Sequence, residues 1–497
     1  MIWNIVAAAL VGALLRFFRL GHPSLWIDEV FTWYAADIGS RMPWSHVIEN
    51  VHGPLYTLLL HAWGGLAGDG EWALRFPSAV FGTVTIPAIA WLSGRWLGRS
   101  AAVPAAWLAA GSPFLVWYSQ EARNYSMLLP CVALGAVAML ELRERLSARA
   151  LVGFLAVSSA GLLTNFSYAL LAPLQLYWWL GTRGDRRRRL LLLAGVALLM
   201  LVVLYPWLPR LASVWDWKRL AQSAGERPAE ALRGGPSFQV AAYPFTLHVF
   251  AVGYTLGPSI REIRTLGSGA ALRAHRAELA VVALLFGALG VLALRAAARR
   301  RERIAALIAL VAPALFVTYG AIQNFKTFHP RYVAVSFPFL LALAAAALAD
   351  ARPRLRAILS AGLALTWGVS LYHLYFVPRY GKEDMRSAIA RVRSEARPGE
   401  KILAAGADDV LFYYYRGPLP IQRYWLGWAG EGDRMEAKLN EALAGTHGVW
   451  VVWSRGEDLD PSGRFPRYLD QRFQGAESRR FEGVRVWHLM GAAPDSR

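Results

Sequence analysis

The chain has 497 residues, 56% of them hydrophobic, and a formal net charge of +19. Soluble domains of this length rarely carry so much apolar content, and here it comes in blocks of about 17–20 residues, the length that crosses a bilayer core of roughly 30 Å. The positive charge is almost all arginine clustered in short loops, which is a topology signal and argues against a nucleic-acid partner. The single cysteine, Cys131, excludes an internal disulfide and argues against a cysteine-based metal site.

Eleven apolar spans are predicted in chain order. They are Ile2–Phe18, Ala79–Leu97, Val103–Tyr118, Tyr125–Leu142, Ala150–Leu163, Tyr168–Leu180, Leu190–Leu208, Leu279–Leu294, Ile304–Gly320, Tyr332–Ala349 and Ala357–Phe376. The fifth and sixth can also be read as one re-entrant pair. The N-terminus has no small-residue cleavage site of a signal peptide and reads as a retained first span. The 21 Trp and 19 Tyr suit an interfacial aromatic belt.

Orientation follows from the arginines. Arg95/Arg99, Arg143/Arg145/Arg149, Arg183/Arg186–Arg189, Arg295/Arg299–Arg303 and Arg352/Arg354/Arg356 fall on one side, which the positive-inside rule makes cytoplasmic. The N-terminus is then cytoplasmic and the C-terminus extracytoplasmic. The expected organisation is a transmembrane domain over 1–376 with outer loops at about 20–78 and 209–277, then an extracytoplasmic domain over 377–497. In the first loop, Trp44–Asn50 and Leu55–Leu66 read as short surface helices. The second loop is polar, basic and punctuated by Pro and Gly. The tail reads as a separable α/β domain, with a helix over Glu383–Glu395 and strands over Lys401–Ala405, Val449–Trp453 and Val484–Leu489.

The residues that can carry chemistry gather on the outer side. Leu25-Trp26-Ile27-Asp28-Glu29 puts an acidic pair in apolar surroundings at the membrane surface, where a carboxylate is costly unless paired. An exposed loop pair is the plainer reading. His52-Gly53-Pro54-Leu55-Tyr56 marks a tight entry into a helix, and His52 could orient a substrate or a carboxylate, or simply be structural. Arg75, in the lead to the second span, reads as structural.

Tyr118-Ser119-Gln120-Glu121-Ala122-Arg123-Asn124-Tyr125 is a dense polar turn. In it Glu121 and Arg123 can close on each other, or Arg123 can grip a phosphate in bidentate fashion. Asn324–Tyr332 supplies Lys326, His329 and Arg331 on the side where cations are disfavoured, and Arg16 and Arg19 break the same rule. Snorkelling to headgroups explains any one of them. Several beside an acidic pair point to a pocket for an anionic lipid headgroup. No Gly-rich phosphate loop, zinc-binding His pair or nucleophile elbow is present.

These motifs, in this order, resemble the GT-C membrane glycosyltransferases of the protein O-mannosyltransferase and lipid A aminoarabinose transferase type (glycosyltransferase family 39-like). The resemblance rests on Asp28-Glu29, His52–Tyr56, Leu74-Arg75-Phe76-Pro77-Ser78, Tyr118–Tyr125 and Pro330-Arg331-Tyr332, and covers residues 1 to about 350. The family often has Pro-Pro where this chain has Gly53-Pro54, and the tail differs from the mannosyltransferases' extra domain.

The resemblance implies transfer of a sugar from a polyprenyl-phosphate donor to a glycan, lipid or protein hydroxyl, outside the inner membrane, by one inverting displacement. It implies Asp28 as base, Glu29 and Glu121 orienting the substrates, and Arg123 and Arg331, with Lys326 and His329, on the phosphate. His52, Tyr56, Tyr125 and Tyr332 are expected substrate contacts. No cofactor is indicated, nor any metal, although a divalent ion is compatible with such chemistry. The competing classes are a flippase of a lipid-linked sugar and a polymerase or ligase of lipid-linked polysaccharide. Against a flippase stand the lack of charges deep in the spans and the gathering of polar groups on one face.

Overall fold

The computed structural model describes residues 1–38, 53–182, 185–208, 238–322, 328–406, 408–424, 439–456 and 463–490. The first helix, α1 (Ile2–Phe17), leads through a short loop to α2 (Ile27–Ala36), α3 (Pro54–Ala67) and the long α4 (Glu71–Trp96). Then come α5 (Ala102–Gly111), α6 (Pro113–Ser119), α7 (Tyr125–Glu144), α8 (Ala148–Thr164), α9 (Ala172–Leu180) and α10 (Arg186–Leu204). After α11 (Ala242–Val252), α12 (Ile260–Leu266) and α13 (Ser268–Ala274) the bundle closes with α14 (Arg276–Arg299), α15 (Arg303–Ile322), α16 (Phe337–Asp350) and α17 (Pro353–Phe376).

Among the described residues, 7 helices are long and apolar enough to cross a membrane, or 8 if α5 and α6, bent by 56°, form one span. The first, fifth and sixth predicted spans are the shorter α1, α8 and α9. α4, α7 and α16 lie mostly inside the bundle, whereas α10 is on its periphery. The run of alanines in α16, Ala342 and Ala344–Ala347, is buried, which lets neighbouring backbones approach closely.

Two features of the sequence explain the break between α5 and α6. Pro113 has no N–H to give the carbonyl of Ala109 and its ring crowds that carbonyl. Arg16 answers: fully buried, it donates to Ala109 O (2.9 Å), Ala110 O (3.1 Å) and Gly12 O (2.8 Å). The expectation that Arg16 reaches lipid headgroups is therefore corrected. Gln120, just beyond α6, donates to the carbonyls of Arg16 (3.1 Å) and Phe18 (2.8 Å), capping α1.

A second correction concerns the outer loop predicted over 209–277. It contains α11, an apolar helix whose Phe250 packs against Phe114 (centroids 4.9 Å) and Phe337 (5.0 Å), so this stretch belongs to the bundle. Residues 209–237, and the helix predicted over Trp44–Asn50, lie outside the described residues. α3 appears where Leu55–Leu66 was expected. Gly53 before it is demanded by space, because a Cβ there would stand 2.2 Å from the carbonyl oxygen of Leu163 at the end of α8.

The Arg-rich ends meet at one end of the bundle. Arg95 pairs with Glu144 (2.8 Å), Arg143 with Glu302 (3.3 Å) and Arg300 with Asp350 (2.7 Å).

The tail is a small sheet domain: α18 (Met385–Glu395), β1 (Lys401–Ala405), α19 (Asp408–Tyr414), β2 (Ile421–Tyr424), β3 (Gly448–Ser454), α20 (Arg464–Arg472), β4 (Glu477–Phe481) and β5 (Val484–Met490). Strand order is β2-β1-β3-β5-β4; β1 runs parallel to β2 and β3, and β5 antiparallel to β3 and β4. The three expected strands are present; β2 and β4 are additions.

Side chains alternate across the sheet as the pleat requires. Leu403, Ala405, Val449 and Val451 pack with Phe465 and Leu469 of α20. Ile402, Ala404, Trp450 and Val452 belong instead to a core that runs through α18 and α19 into Leu25, Val30, Tyr56, Leu60 and Leu74. The tail thus shares its core with the segment between α1 and α4, where a separable unit was expected.

Candidate active site

At the end of the bundle opposite the arginine pairs, α2 begins with Asp28 and Glu29 in its first turn, where the helix dipole favours negative charge. The two carboxylates have opposite fates. Glu29 is fully buried and faces Arg75, also fully buried, whose Nε reaches Oε1 at 2.7 Å and whose second terminal nitrogen reaches Oε2 at 2.8 Å. Ala122 N–H (2.9 Å), Trp26 N–H (3.3 Å) and Lys382 Nζ (3.1 Å) complete its shell. Burial pushes the Glu29 pKa up, but Arg75, Lys382 and the hydrogen bonds outweigh it and hold the group at about 2.

Arg75 uses its remaining donors on the carbonyls of Leu20 (3.0 Å), Pro23 (2.8 Å) and Ser24 (3.0 Å), fastening the loop before α2 onto α4. Glu29 is thus spent on architecture, and the expectation that it orients a substrate is revised. Arg75→Met is expected to cost about 3–5 kcal/mol of stability, because it leaves a buried carboxylate short of its main partner. Adding Glu29→Gln should recover part of that loss in thermal unfolding. A single variant as stable as the wild type would refute this account.

Asp28 remains partly accessible (side chain 19% exposed) and pairs with Arg331, 303 residues away. Burial raises its pKa, yet the Arg331 and Arg123 guanidinium groups hold it below the usual carboxylate range. Arg331 stands on a 3-10 turn, Pro330–Ser336, that leads into α16. His329 Nδ1 accepts from the Arg331 N–H (3.3 Å), and the guanidinium lies 5.3 Å from the Tyr332 ring and 6.0 Å from the Trp26 ring. Arg123 donates to the Asp28 carbonyl (2.9 Å) and to Thr32 Oγ1 (2.9 Å). Tyr118, whose hydroxyl meets Tyr254 OH at 2.8 Å, and Tyr125 form an aromatic wall beside them.

Three donors at this mouth are buried with no hydrogen-bond partner among the described residues: Trp26 Nε1, Arg123 Nε and Arg331 Nε. A buried donor left unmade is costly, and three around one carboxylate suit a ligand rich in acceptor oxygens.

The other expected residues divide. The Glu121–Arg123 pair does not form. Glu121, 2% exposed, meets Lys382 at 3.5 Å instead, and burial raises its pKa. Tyr56, 1% exposed, bonds Ser78 Oγ (2.7 Å), which in turn donates to the Arg123 carbonyl (3.1 Å). It therefore supports the Arg123 turn from behind, which corrects its expected contact with substrate. His52 and Lys326 lie outside the described residues. Among those described, no group of three or more His, Cys, Asp or Glu is gathered that could hold a metal ion.

Lys382 is the residue the sequence reading missed. Its signal was there: a rare lysine in a chain of arginines, placed just past the last span and followed by Glu383-Asp384.

The chain has the fold of the GT-C membrane glycosyltransferases. ArnT from Cupriavidus metallidurans in the apo state matches with a TM-score of 0.59 at 17% identity, over 99% of both chains. The same protein bound to undecaprenyl phosphate gives 0.60 at 16% identity, over 99% of this chain and 98% of that one. The Archaeoglobus fulgidus oligosaccharyltransferase in the apo form gives 0.54 at 14% identity, over 99% of this chain and 74% of the other. The family model for dolichyl-phosphate-mannose-protein mannosyltransferase matches residues 51–210. No curated protein matches the chain.

Proposed function

We propose that this protein transfers a sugar from a polyprenyl-phosphate carrier to an acceptor hydroxyl on the extracytoplasmic face of the inner membrane. The observation that carries the reading is the Asp28–Arg331 pair, set among unpartnered donors at one mouth of a GT-C bundle. The undecaprenyl phosphate in the Cupriavidus metallidurans structure and the mannosyltransferase family model support a lipid-phosphate donor.

In this reading Asp28 takes the proton of the acceptor hydroxyl as its oxygen attacks the anomeric carbon. The carbon–oxygen bond to the phosphate breaks with inversion, and the carrier leaves as a phosphate monoester. Arg331 and Arg123 meet the developing charge through their free Nε–H groups. A carboxylate held low by an arginine is a weak base, but a phosphate competes for the same guanidinium. As Arg331 turns toward phosphate, Asp28 regains basicity where the proton must be taken. Tyr125, Tyr332 and His329 line the sugar's path, and the acceptor is a glycan, lipid or protein.

A radiolabel-transfer assay with purified protein and a panel of polyprenyl-phosphate sugars tests this. Label should leave at least one donor, and the product should carry the inverted anomer. Reporter fusions at Arg187 and Gly432 should report opposite sides of the membrane. No transfer from any donor, or fusions on the same side, would overturn the reading.

A further inference from the structure

The first residues past α17 reach back into the site. Lys382 Nζ lies 3.1 Å from Glu29 Oε2 and 3.5 Å from Glu121 Oε1, so one ammonium bridges α2 and the turn between α6 and α7. It sits 5.7 Å from the Trp26 ring centroid and 6.0 Å from that of Trp117, and Trp26 also carries Arg331 at 6.0 Å. Neighbouring groups of the same domain clamp the same loop. Asp384 accepts from Ser24 Oγ (3.2 Å), Arg386 pairs with Glu71 (3.1 Å), and Tyr414 OH accepts from the Leu25 N–H (2.7 Å).

The two carboxylates that Lys382 touches are not equivalent. Glu29 has Arg75 and two backbone donors besides. For Glu121, Lys382 is the only ion-pair partner among the described residues. Among the described residues, the other charged or titratable groups that act on Glu121 include Glu29 and Asp28 of α2, Arg331 before α16, Tyr118 of α6, Tyr254 after α11 and Tyr56 of α3. Glu29 and Asp28 oppose its ionisation; Lys382 and Arg331 favour it.

We propose that Lys382, supplied by the C-terminal domain, is a positioning residue of the transferase site: it holds Glu121 as a carboxylate beside the Asp28–Arg331 pair and locks the loop that carries Asp28. The proposal rests on the transferase reading above. Its physical basis is that a buried carboxylate keeps its charge only while a cation compensates for lost hydration. Glu121 then adds to the negative field that draws Arg331 and a cationic or hydroxyl-rich substrate into register, without touching the reacting atoms.

The test compares Lys382→Arg, Lys382→Met and Lys382→Met/Glu121→Gln with the wild type, measuring kcat/KM for sugar transfer against pH. Without the ammonium, Glu121 takes up a proton at higher pH, so the acidic limb of Lys382→Met should move to higher pH. Lys382→Arg should keep the limb in place, and the double variant should lose the shift. An unmoved limb in Lys382→Met, with only a drop in stability, would mean a purely structural lysine and overturn the proposal.

Thermal unfolding against pH gives a readout independent of activity. The folded-state pKa of Glu121 is raised, so its ionisation costs stability as pH increases, and Lys382 offsets that cost. The Tm deficit of Lys382→Met should therefore grow as the pH rises above the ordinary carboxylate range, and a pH-independent deficit would refute the coupling. If the wild type transfers no sugar at all, the transferase reading fails, while this second measurement still decides for or against the Lys382–Glu121 pair.

Discussion

Replacing Asp28 by Asn is expected to lower turnover by about 10²–10⁴-fold, the contribution of a positioned general base. Asn keeps the size of the side chain and an oxygen that can still accept from Arg331. What is lost is the proton acceptor and one charge in the first turn of α2. The fold should survive, because the loop is fastened by Glu29, Arg75 and the Arg123 bond to the backbone carbonyl of residue 28, none of which needs the Asp28 carboxylate. The measurement is transfer by purified Asp28→Asn with its unfolding temperature recorded alongside. Near-normal turnover would remove Asp28 from the role of base.

Arg331→Lys is the second large effect expected, although it conserves charge. One terminal nitrogen of Arg331 meets Asp28, the other lies 3.3 Å from Tyr332 OH, and Nε–H has no partner among the described residues. A planar fork can thus keep an anchor on the protein while presenting a second N–H to a phosphate oxygen. A single ammonium on a flexible stem cannot do both. The loss of a charge-assisted contact to developing charge should raise the barrier by roughly 2–4 kcal/mol. Wild-type turnover in Arg331→Lys would mean that only a point charge is needed, and would dissolve the assignment of this residue to the leaving phosphate.

What was legible in the sequence was what one segment decides for itself. Most of the predicted spans declared themselves because a bilayer demands a fixed apolar length, and the buried strands β1, β3 and β5 because short apolar runs bounded by Gly and polar residues are hard to fold otherwise. The site's acidic pair and its arginines stood out because charges at a membrane surface need a reason.

What was not legible was partnership. Nothing local tells Glu29 from Asp28, yet one is sealed against Arg75 and the other open to Arg331. Arg16 looked like a lipid anchor because its partners, the carbonyls freed by Pro113, lie more than 90 residues away. The same holds for α11, whose aromatic face has meaning only once Phe114 and Phe337 meet it. Lys382 is rare by type, but its partners Glu29 and Glu121 lie more than 250 residues away, and nothing local joins them.

The 353 residues that separate Lys382 from Glu29 have a consequence for biogenesis. The loop bearing Asp28 emerges from the ribosome well before the domain that completes it. At synthesis rates of about 5–20 residues per second the two are made tens of seconds apart. Through that interval the early helices wait in the membrane with the Glu121 carboxyl lacking its ammonium partner and Leu25, Val30 and Leu60 uncovered. A nascent or truncated chain is thus marked by exposed apolar surface, which is the kind of surface that quality-control proteases and chaperones read.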